Sequence, residues 1–436
     1  MTDQSTLLGN LGISKLNDMQ TEVLKQFAPE TDLVLYAPTG SGKTVAFLLS
    51  LLKTITPDAE KLQVIIIAPV RELAIQIDTV FRKMSTGHRI SCVYGGHSIR
   101  EESRSLAVTP AIIVGTPGRI LDLIHRKIID VRKVHTLVLD EFDKSLELGF
   151  EGEMSEIAER LGSLQTKILT SATELEKMPS FLKLNEPKTV NFLSLKDNIQ
   201  TDFFVVPSKD TDKMETAFLL ACQFKEETGI FFCNHREAVD RLSAYFKNRN
   251  LVHAVFHGGL EQDDREKALI RFRNGTCPVF VSTDLAARGL DITDVGHVVH
   301  FQLPIDEKSM THRNGRTARA GKSGNVHFIL SEKEYLPEYL AQKPLENKVD
   351  PRNNQPLEPK WDTLFFDLGK KDKVNKIDLV GFLCQTGKLD KSEIGLISVL
   401  DHRSYVAVKK SKIKSVFAAC NGQKIKKRQV RIRIAD

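Results

Sequence analysis

Short apolar runs that stop at a glycine-bearing or charged turn recur along the first two hundred residues. This rhythm constrains the fold more than any other feature of the chain. LVLY (33–36) leads into APTG, VIII (64–67) into APVREL, AIIV (111–114) into GTPGR, TLVL (136–139) into DEFD, and KIL (167–169) into TSAT. Unbroken apolar runs of this length suit strands buried on both faces, the condition of a parallel sheet covered by helices. In such a sheet, functional groups gather in the crevice beyond the carboxyl ends of the strands. Five turns placed this way predict one shared face. From about 201 to 335 the rhythm returns in GIFF, HAVF, PVFV, HVVHF and NVHFIL, each but the last followed by a polar turn, with no second Gly-Lys-Thr turn. Two similar α/β domains with one ligand site, in a cleft between them, are expected.

The stretch Ala37-Pro38-Thr39-Gly40-Ser41-Gly42-Lys43-Thr44 follows the first run and precedes a helical one. Strand, glycine-rich turn and helix are the context of a phosphate-binding loop. Gly40 and Gly42 let backbone N–H groups curl inward toward phosphate oxygens, and the helix N-terminus adds about half a positive charge there. Lys43 is placed to reach the β- and γ-phosphates, and the Thr44 hydroxyl to ligate Mg²⁺. Ala37 stands where the general pattern has its first glycine. The run TLVL ends in two carboxylates: Asp140 can hold Mg²⁺, directly or through water, and Glu141 can orient and deprotonate an attacking water. Either stretch alone is weak, since turns use glycine for steric reasons and acidic pairs sit in solvated loops. Together, each after an apolar strand, they point to NTP hydrolysis.

The chain of 436 residues is 41% hydrophobic and 27% charged, ordinary values for a globular protein of two or three domains. Its start lacks the pattern of a signal peptide, and no apolar run reaches the ~20 residues of a membrane span; cytoplasmic location is expected. The six cysteines are scattered with no Cys-x-x-Cys pair, so neither a disulfide framework nor a zinc site is expected. From Trp361 to Asp436 there are 17 Lys plus Arg against 8 Asp plus Glu, a net of +9, which leaves −3 for the rest of a chain of net +6. A basic tail on a near-neutral body predicts a polyanion partner held by the tail. Five prolines between 337 and 360 mark a linker, part of it extended. Beyond it the pattern strand–helix–strand–strand–helix–strand predicts a small α+β domain.

Over roughly residues 14 to 335 these stretches resemble the DEAD-box RNA helicases, with a dozen motifs in family order. The resemblance implies two tandem RecA-like parallel-sheet domains, 1–200 (ATP-binding) and 201–336, then the linker 337–360 and an RRM-like domain at 361–436. It implies that Gln20 reads the adenine edge, that Gly289 and Asp291 in the motif STDLAARGLD help bind ATP, and that Arg316 and Arg319 in HRNGRTAR act as arginine fingers. RNA contacts are implied for Pro69, Arg71, Gly95, Gly96, Thr116, Arg119, Gln262, Arg265, Thr283 and Asp284. The resemblance further implies that Asp143, Ser171 and Thr173 couple hydrolysis to RNA. Phosphate-directed contacts of these types carry little base information. The sequence departs from the family pattern at Phe142 (DEFD), at Asn314 and Ala318, at Val70, and at Asp18-Met19 before Gln20.

The tail resembles the DbpA-type RNA-binding domain, an RRM-like module at the end of some bacterial DEAD-box proteins. That implies recognition of a hairpin of large-subunit ribosomal RNA, in a pre-ribosomal particle, by a monomer. Lys424, Lys426, Lys427 and Arg428 are the candidates for phosphate contacts, with Arg431 and Arg433 nearby. Tyr405 and His402 are candidates for base stacking, while Phe365 and Tyr405 serve equally well as core. Two other functional readings stay open: a weakly hydrolysing, nucleotide-gated RNA clamp, and a general RNA unwinder without ribosomal specificity.

Overall fold

The computed structural model describes residues 3–435 apart from 39, 58–60, 97–98, 176–177, 194–200, 287–291, 293–294, 319–322 and 341. The chain divides near residue 198 into two compact units.

The first unit is built on seven parallel strands: β1 (Leu33–Tyr36), β2 (Val64–Ile67), β3 (Ile90–Val93), β4 (Ile112–Gly115), β5 (Thr136–Leu139), β6 (Thr166–Ser171) and β7 (Lys188–Asn191). They lie in the order β3-β4-β2-β5-β6-β1-β7. The apolar runs are unbroken because both faces are covered. Leu33, Leu35, Val64, Ile66, Ile112 and Val114 enter the core on one side. Val34, Tyr36, Ile65, Ile67 and Ile113 enter the core on the other. Each such Val, Leu or Ile contributes about 1.5–3 kcal/mol by leaving water.

The second unit opens with another seven-stranded parallel sheet: β8 (Thr201–Ser208), β9 (Gly229–Phe232), β10 (His253–Phe256), β11 (Val279–Ser282), β12 (His297–His300), β13 (Gly324–Ser331) and β14 (Leu345–Glu346). Its order, β10-β11-β9-β12-β13-β8-β14, repeats that of the first sheet position for position. The repeat is therefore topological where the residues themselves differ. Leu345 and Glu346, in the stretch read as a linker, form the edge strand by pairing with Phe204 and Val205 of β8.

The same unit carries a four-stranded antiparallel sheet, β16 (Ile394–Val399), β17 (Ser404–Lys409), β15 (Trp361–Phe366) and β20 (Ile432–Ile434), in that order. A short hairpin, β18 (Lys424–Ile425) with β19 (Arg428–Gln429), precedes β20. Two helices, Lys376–Gln385 and Ile413–Cys420, cover one face. The first starts at a reciprocal cap between Asn375 and Asp378. The other face meets the helix Gln262–Arg273, where Tyr405 and Ala435 bury Ile270. Around that contact Asn274 Nδ2 donates to Thr363 Oγ1 at 3.0 Å, the Thr276 and Thr363 hydroxyls lie 2.7 Å apart, and Arg403 grips Asp263 with two bonds of 2.7 Å. The tail domain is docked, not dangling.

Candidate nucleotide and nucleic-acid sites

The phosphate loop leaves β1, and its first residue is tied to the neighbouring strand by Ala37 N–H donating to Ser171 O at 3.1 Å. Gly40 and Gly42 adopt φ of 83° and 90°, conformations glycine takes at no steric cost. Gly42 caps the helix Lys43–Leu51, so Thr44 sits in its first turn. Lys43 Nζ donates to Ala37 O (2.6 Å) and Pro38 O (3.2 Å), holding the ammonium over the loop. A second helix, Asp18–Gln26, braces the loop from outside. Asn17 Nδ2 donates to Ser41 O (2.8 Å) and Gln20 Nε2 to Gly42 O (3.2 Å), while Asn17 and Gln20 cap that helix reciprocally. A Cβ on Gly42 would lie 2.5 Å from Gln20 Nε2, so the glycine permits this approach. The Gln20 amide retains a second N–H and a second lone pair for a base edge.

Two strands away, Asp140 and Glu141 follow β5, both buried. Glu141 takes φ 44° and caps the helix Phe142–Glu147, a left-handed turn costing on the order of 1–3 kcal/mol for a non-glycine residue. One residue missed by the sequence reading connects the pair. The Thr170 hydroxyl, at the end of β6, donates to Asp140 Oδ1 (2.5 Å) and accepts from Glu141 N–H (3.2 Å). Burial pushes the Asp140 carboxyl above its usual range, against the Thr170 hydrogen bond and the Lys43 charge. The only sequence signal for Thr170 was its position at the strand end, beside Ser171-Ala172-Thr173. Thr173 Oγ1 donates to Asp143 Oδ2 (2.9 Å) and Ser171 Oγ to Thr173 O (2.5 Å), so Asp143, Ser171 and Thr173 form one network. Phe142 is fully buried and packs edge-on against Phe181, with ring centroids 6.4 Å apart.

The residues read as RNA-binding cluster on the other half of the same edge. Pro69 and Arg71 follow β2, Gly95 and Gly96 follow β3, and Thr116 and Arg119 follow β4. The strand order thus separates β3-β4-β2, carrying this group, from β5-β6-β1, carrying the nucleotide group. The Arg71 guanidinium lies against Gly96, where a Cβ would meet it at 3.0 Å. Arg119 is mostly buried and bound to Glu102 (2.6 Å) and Asp122 (3.4 Å).

In the second unit Gln262 begins the helix Gln262–Arg273, with Arg265 in its first turn. Thr283 and Asp284 follow β11. Asp284 accepts two bonds from Arg313 (2.5 and 3.0 Å), a fully buried arginine that also donates to Gln302 O and Asn234 Oδ1. Arg313, missed in the sequence reading, was signalled by lying in HRNGRTAR. Arg316 is buried just beyond the helix Glu307–Asn314. Thr39, Gly289, Asp291 and Arg319 lie outside the described residues.

On the tail, Lys426 pairs with Asp378 (2.6 Å) and Arg428 with Asp372. Lys424 and Lys427 are exposed, with neither an ion pair nor a side-chain hydrogen bond among the described residues. Lys426 and Lys427 both take positive φ at the hairpin tip. Tyr405 is buried against Ile270, which removes its ring from the surface where a base would stack. His402 is exposed, and Arg433 covers the Phe365 ring at 4.8 Å. No helix among the described residues is long and apolar enough to cross a membrane.

The chain matches the DEAD/DEAH box helicase family over residues 17–178, the helicase conserved C-terminal domain over 212–321, and the DbpA RNA binding domain over 363–434. It is 32% identical over 444 residues to the ATP-dependent RNA helicase DbpA of Escherichia coli (strain K12), covering 99% of this chain and 97% of that protein. It is 34% identical over 360 residues to the DEAD-box ATP-dependent RNA helicase CshA of Bacillus subtilis (strain 168), covering 80% and 72%. Among solved structures, S. cerevisiae Dbp5 bound to RNA and ADP BeF3 matches with a TM-score of 0.69 at 24% identity, over 80% of this chain and 94% of that one, a likeness of fold.

Proposed function

The chain belongs to the DEAD-box ATP-dependent RNA helicases, and from that premise we propose that it unwinds ribosomal RNA during assembly of the large ribosomal subunit, as a cytoplasmic monomer. The observation that carries the ribosomal reading is the tail, a domain of the DbpA RNA-binding type docked on the helix that bears Gln262 and Arg265. A structured RNA held by Lys424 and Lys427 would then stand at a fixed offset from the strand gripped by the core.

The proposed division of the chain is an ATP-binding domain at 1–200, a second helicase domain at 201–336, a connecting segment at 337–360 and the RNA-binding domain at 361–436. In the first domain the loop from Ala37 to Thr44 cradles the phosphates, with Gln20 at the adenine. Lys43 balances the β/γ charge, and Glu141 takes the proton of the attacking water. Arg316 and Arg319 stabilise charge in transit from the second domain, a role worth about 10³–10⁵ in rate. Asp143, Ser171 and Thr173 report nucleotide state to the RNA-facing edge. The residues present fit Mg²⁺. Asp140 is an oriented, buried oxygen donor and Thr44 a hydroxyl donor. Among the described residues no cluster of three His, Cys, Asp or Glu competes for a metal, and Mg²⁺ near nucleotides draws further ligands from phosphate and water. When bound it would supply charge neutralisation at the β/γ oxygens.

The weakly hydrolysing clamp rests on two departures from the family pattern, Phe142 and the pair Asn314 and Ala318. The Phe142 ring finds its own space beside Phe181, which removes the first of these grounds. The test is ATP turnover with ribosomal RNA fragments and with unrelated RNA of equal length. A half-saturating concentration at least about tenfold lower for one large-subunit hairpin supports the proposal. Equal values for all RNAs would make the protein a general unwinder.

A further inference from the structure

The arginine-bearing turn at the end of the helix Glu307–Asn314 is held from three sides. Arg313 is anchored to Asp284, Gln302 and Asn234. Beyond the helix, Val295 N–H donates to Arg316 O (3.2 Å) and the Thr317 hydroxyl donates to Val295 O. The third anchor is a side-chain pair that no catalytic role requires. His300 Nε2, at the end of β12, donates to Asn314 Oδ1 at 2.9 Å. Asn314 is the last residue of the helix, two before Arg316. His300 has no exposed surface, and its ring stacks on Phe328 with centroids 4.7 Å apart and planes 7° from parallel. A ring so confined offers its N–H in one direction only.

The geometry points to His300 and Asn314 as a positioning pair that fixes the aim of Arg316 during ATP turnover, an inference resting on the proposed role of Arg316. Neither residue is placed to touch nucleotide; they act through the arginine. Burial, with the Arg313 charge adding to it, holds His300 near a pKa of about 3, so the imidazole stays neutral and its single N–H donor persists through the working pH range. A charged ring would repel Arg313, whereas the neutral one orients the helix end without cost. Asn314 is tied into the same turn as the arginine: its carbonyl accepts from Thr317 N–H (3.1 Å), and Arg316 N–H donates to Arg313 O (3.1 Å).

The test is steady-state RNA-stimulated ATP turnover of the full chain carrying His300→Phe, His300→Gln or Asn314→Ala, each also made with Arg316→Ala. Loss of aim without loss of binding predicts that kcat falls about 10- to 100-fold for His300→Phe and Asn314→Ala. The ATP KM and the RNA concentration for half-stimulation should stay within about twofold. His300→Gln, which keeps an N–H donor, should recover most of the loss. In the Arg316→Ala background the same changes should lower the residual kcat no further, because the arginine they aim is gone. Additive losses on top of Arg316→Ala, or equal losses in His300→Phe and His300→Gln, would overturn the inference and leave a purely structural pair. Wild-type kcat in His300→Phe and Asn314→Ala would overturn it as well. Arg316→Ala alone reads the parent assignment separately: wild-type turnover there refutes the finger, and the pair then has nothing to aim.

Discussion

Replacing Thr363 by valine probes how firmly the tail domain is fixed to its neighbour. Thr363 is fully buried on β15, and its hydroxyl is the shared partner of Asn274 Nδ2 and Thr276 Oγ1, both buried. Valine keeps the shape and removes the oxygen. Each polar group left buried without a partner costs about 1–3 kcal/mol. With two such groups, the docked state should weaken by about 2–6 kcal/mol, at least a thirtyfold shift toward the undocked form. Thr363→Ser, which keeps the hydroxyl and loses one methyl, should cost only about 1 kcal/mol. A native reporter is in place. The sole tryptophan, Trp361, begins β15, and Gly275 of the helicase side approaches so closely that a Cβ there would lie 3.5 Å from the indole. Undocking therefore exposes Trp361 to water, and its emission against denaturant reads the transition. An early phase in Thr363→Val that is absent from wild type and small in Thr363→Ser is expected. Midpoints for wild type and Thr363→Val within about 0.5 kcal/mol of each other, with no early phase, would refute the claim that these hydroxyls hold the domains together.

Further outcomes follow from the same structure. Lys43→Ala and Glu141→Gln should each abolish RNA-stimulated ATP turnover while leaving the melting temperature near wild type; wild-type rates would remove both residues from the chemistry. Thr170→Val should lower kcat by at least about tenfold and Thr170→Ser should restore it, since one hydroxyl orients both Asp140 and Glu141 and ~1 kcal/mol is at stake per hydrogen bond. Burial holds His300 and His327 near pKa values of about 3, below the ordinary ~6.5. The unfolded chain therefore takes up protons below pH ~6.5 that the folded chain refuses. Stability is full above that pH and is lost as pH falls toward 3, by about 2 kcal/mol per histidine between pH 7 and 5. Denaturant midpoints of the second unit at the two pH values check this, and a difference under about 1 kcal/mol in total contradicts it.

The strand runs and the turns after them were legible because burial on both faces writes an unbroken apolar signature, as in VIII at β2 and TLVL at β5. The phosphate loop was legible because its glycines, Lys43 and Thr44 are contiguous. Partnerships between distant residues were not. Arg119 and Asp284 read as RNA contacts, but Glu102 and Arg313 become their partners only when separate turns meet. Lys426 and Arg428 read as free cations, and Asp378 and Asp372 reach them through the tail fold. Tyr405 was open between stacking and core because its sequence does not record that Ile270, 135 positions earlier, covers that sheet face. Asn314 read only as a departure from pattern until His300 supplied its partner. A two-residue strand such as β14 carries too little periodicity to stand out from a proline-rich connector.

In the proposed mechanism the two α/β domains close around nucleotide and RNA together. The direct measurement is energy transfer between a donor on the first unit and an acceptor on the helix Gln262–Arg273, for the free chain, with a non-hydrolysable ATP analogue, with RNA, and with both. A shortened distance that requires both ligands, and disappears in Arg316→Ala, is predicted. An unchanged distance with both bound, under conditions where ATP turnover is RNA-stimulated, would contradict it.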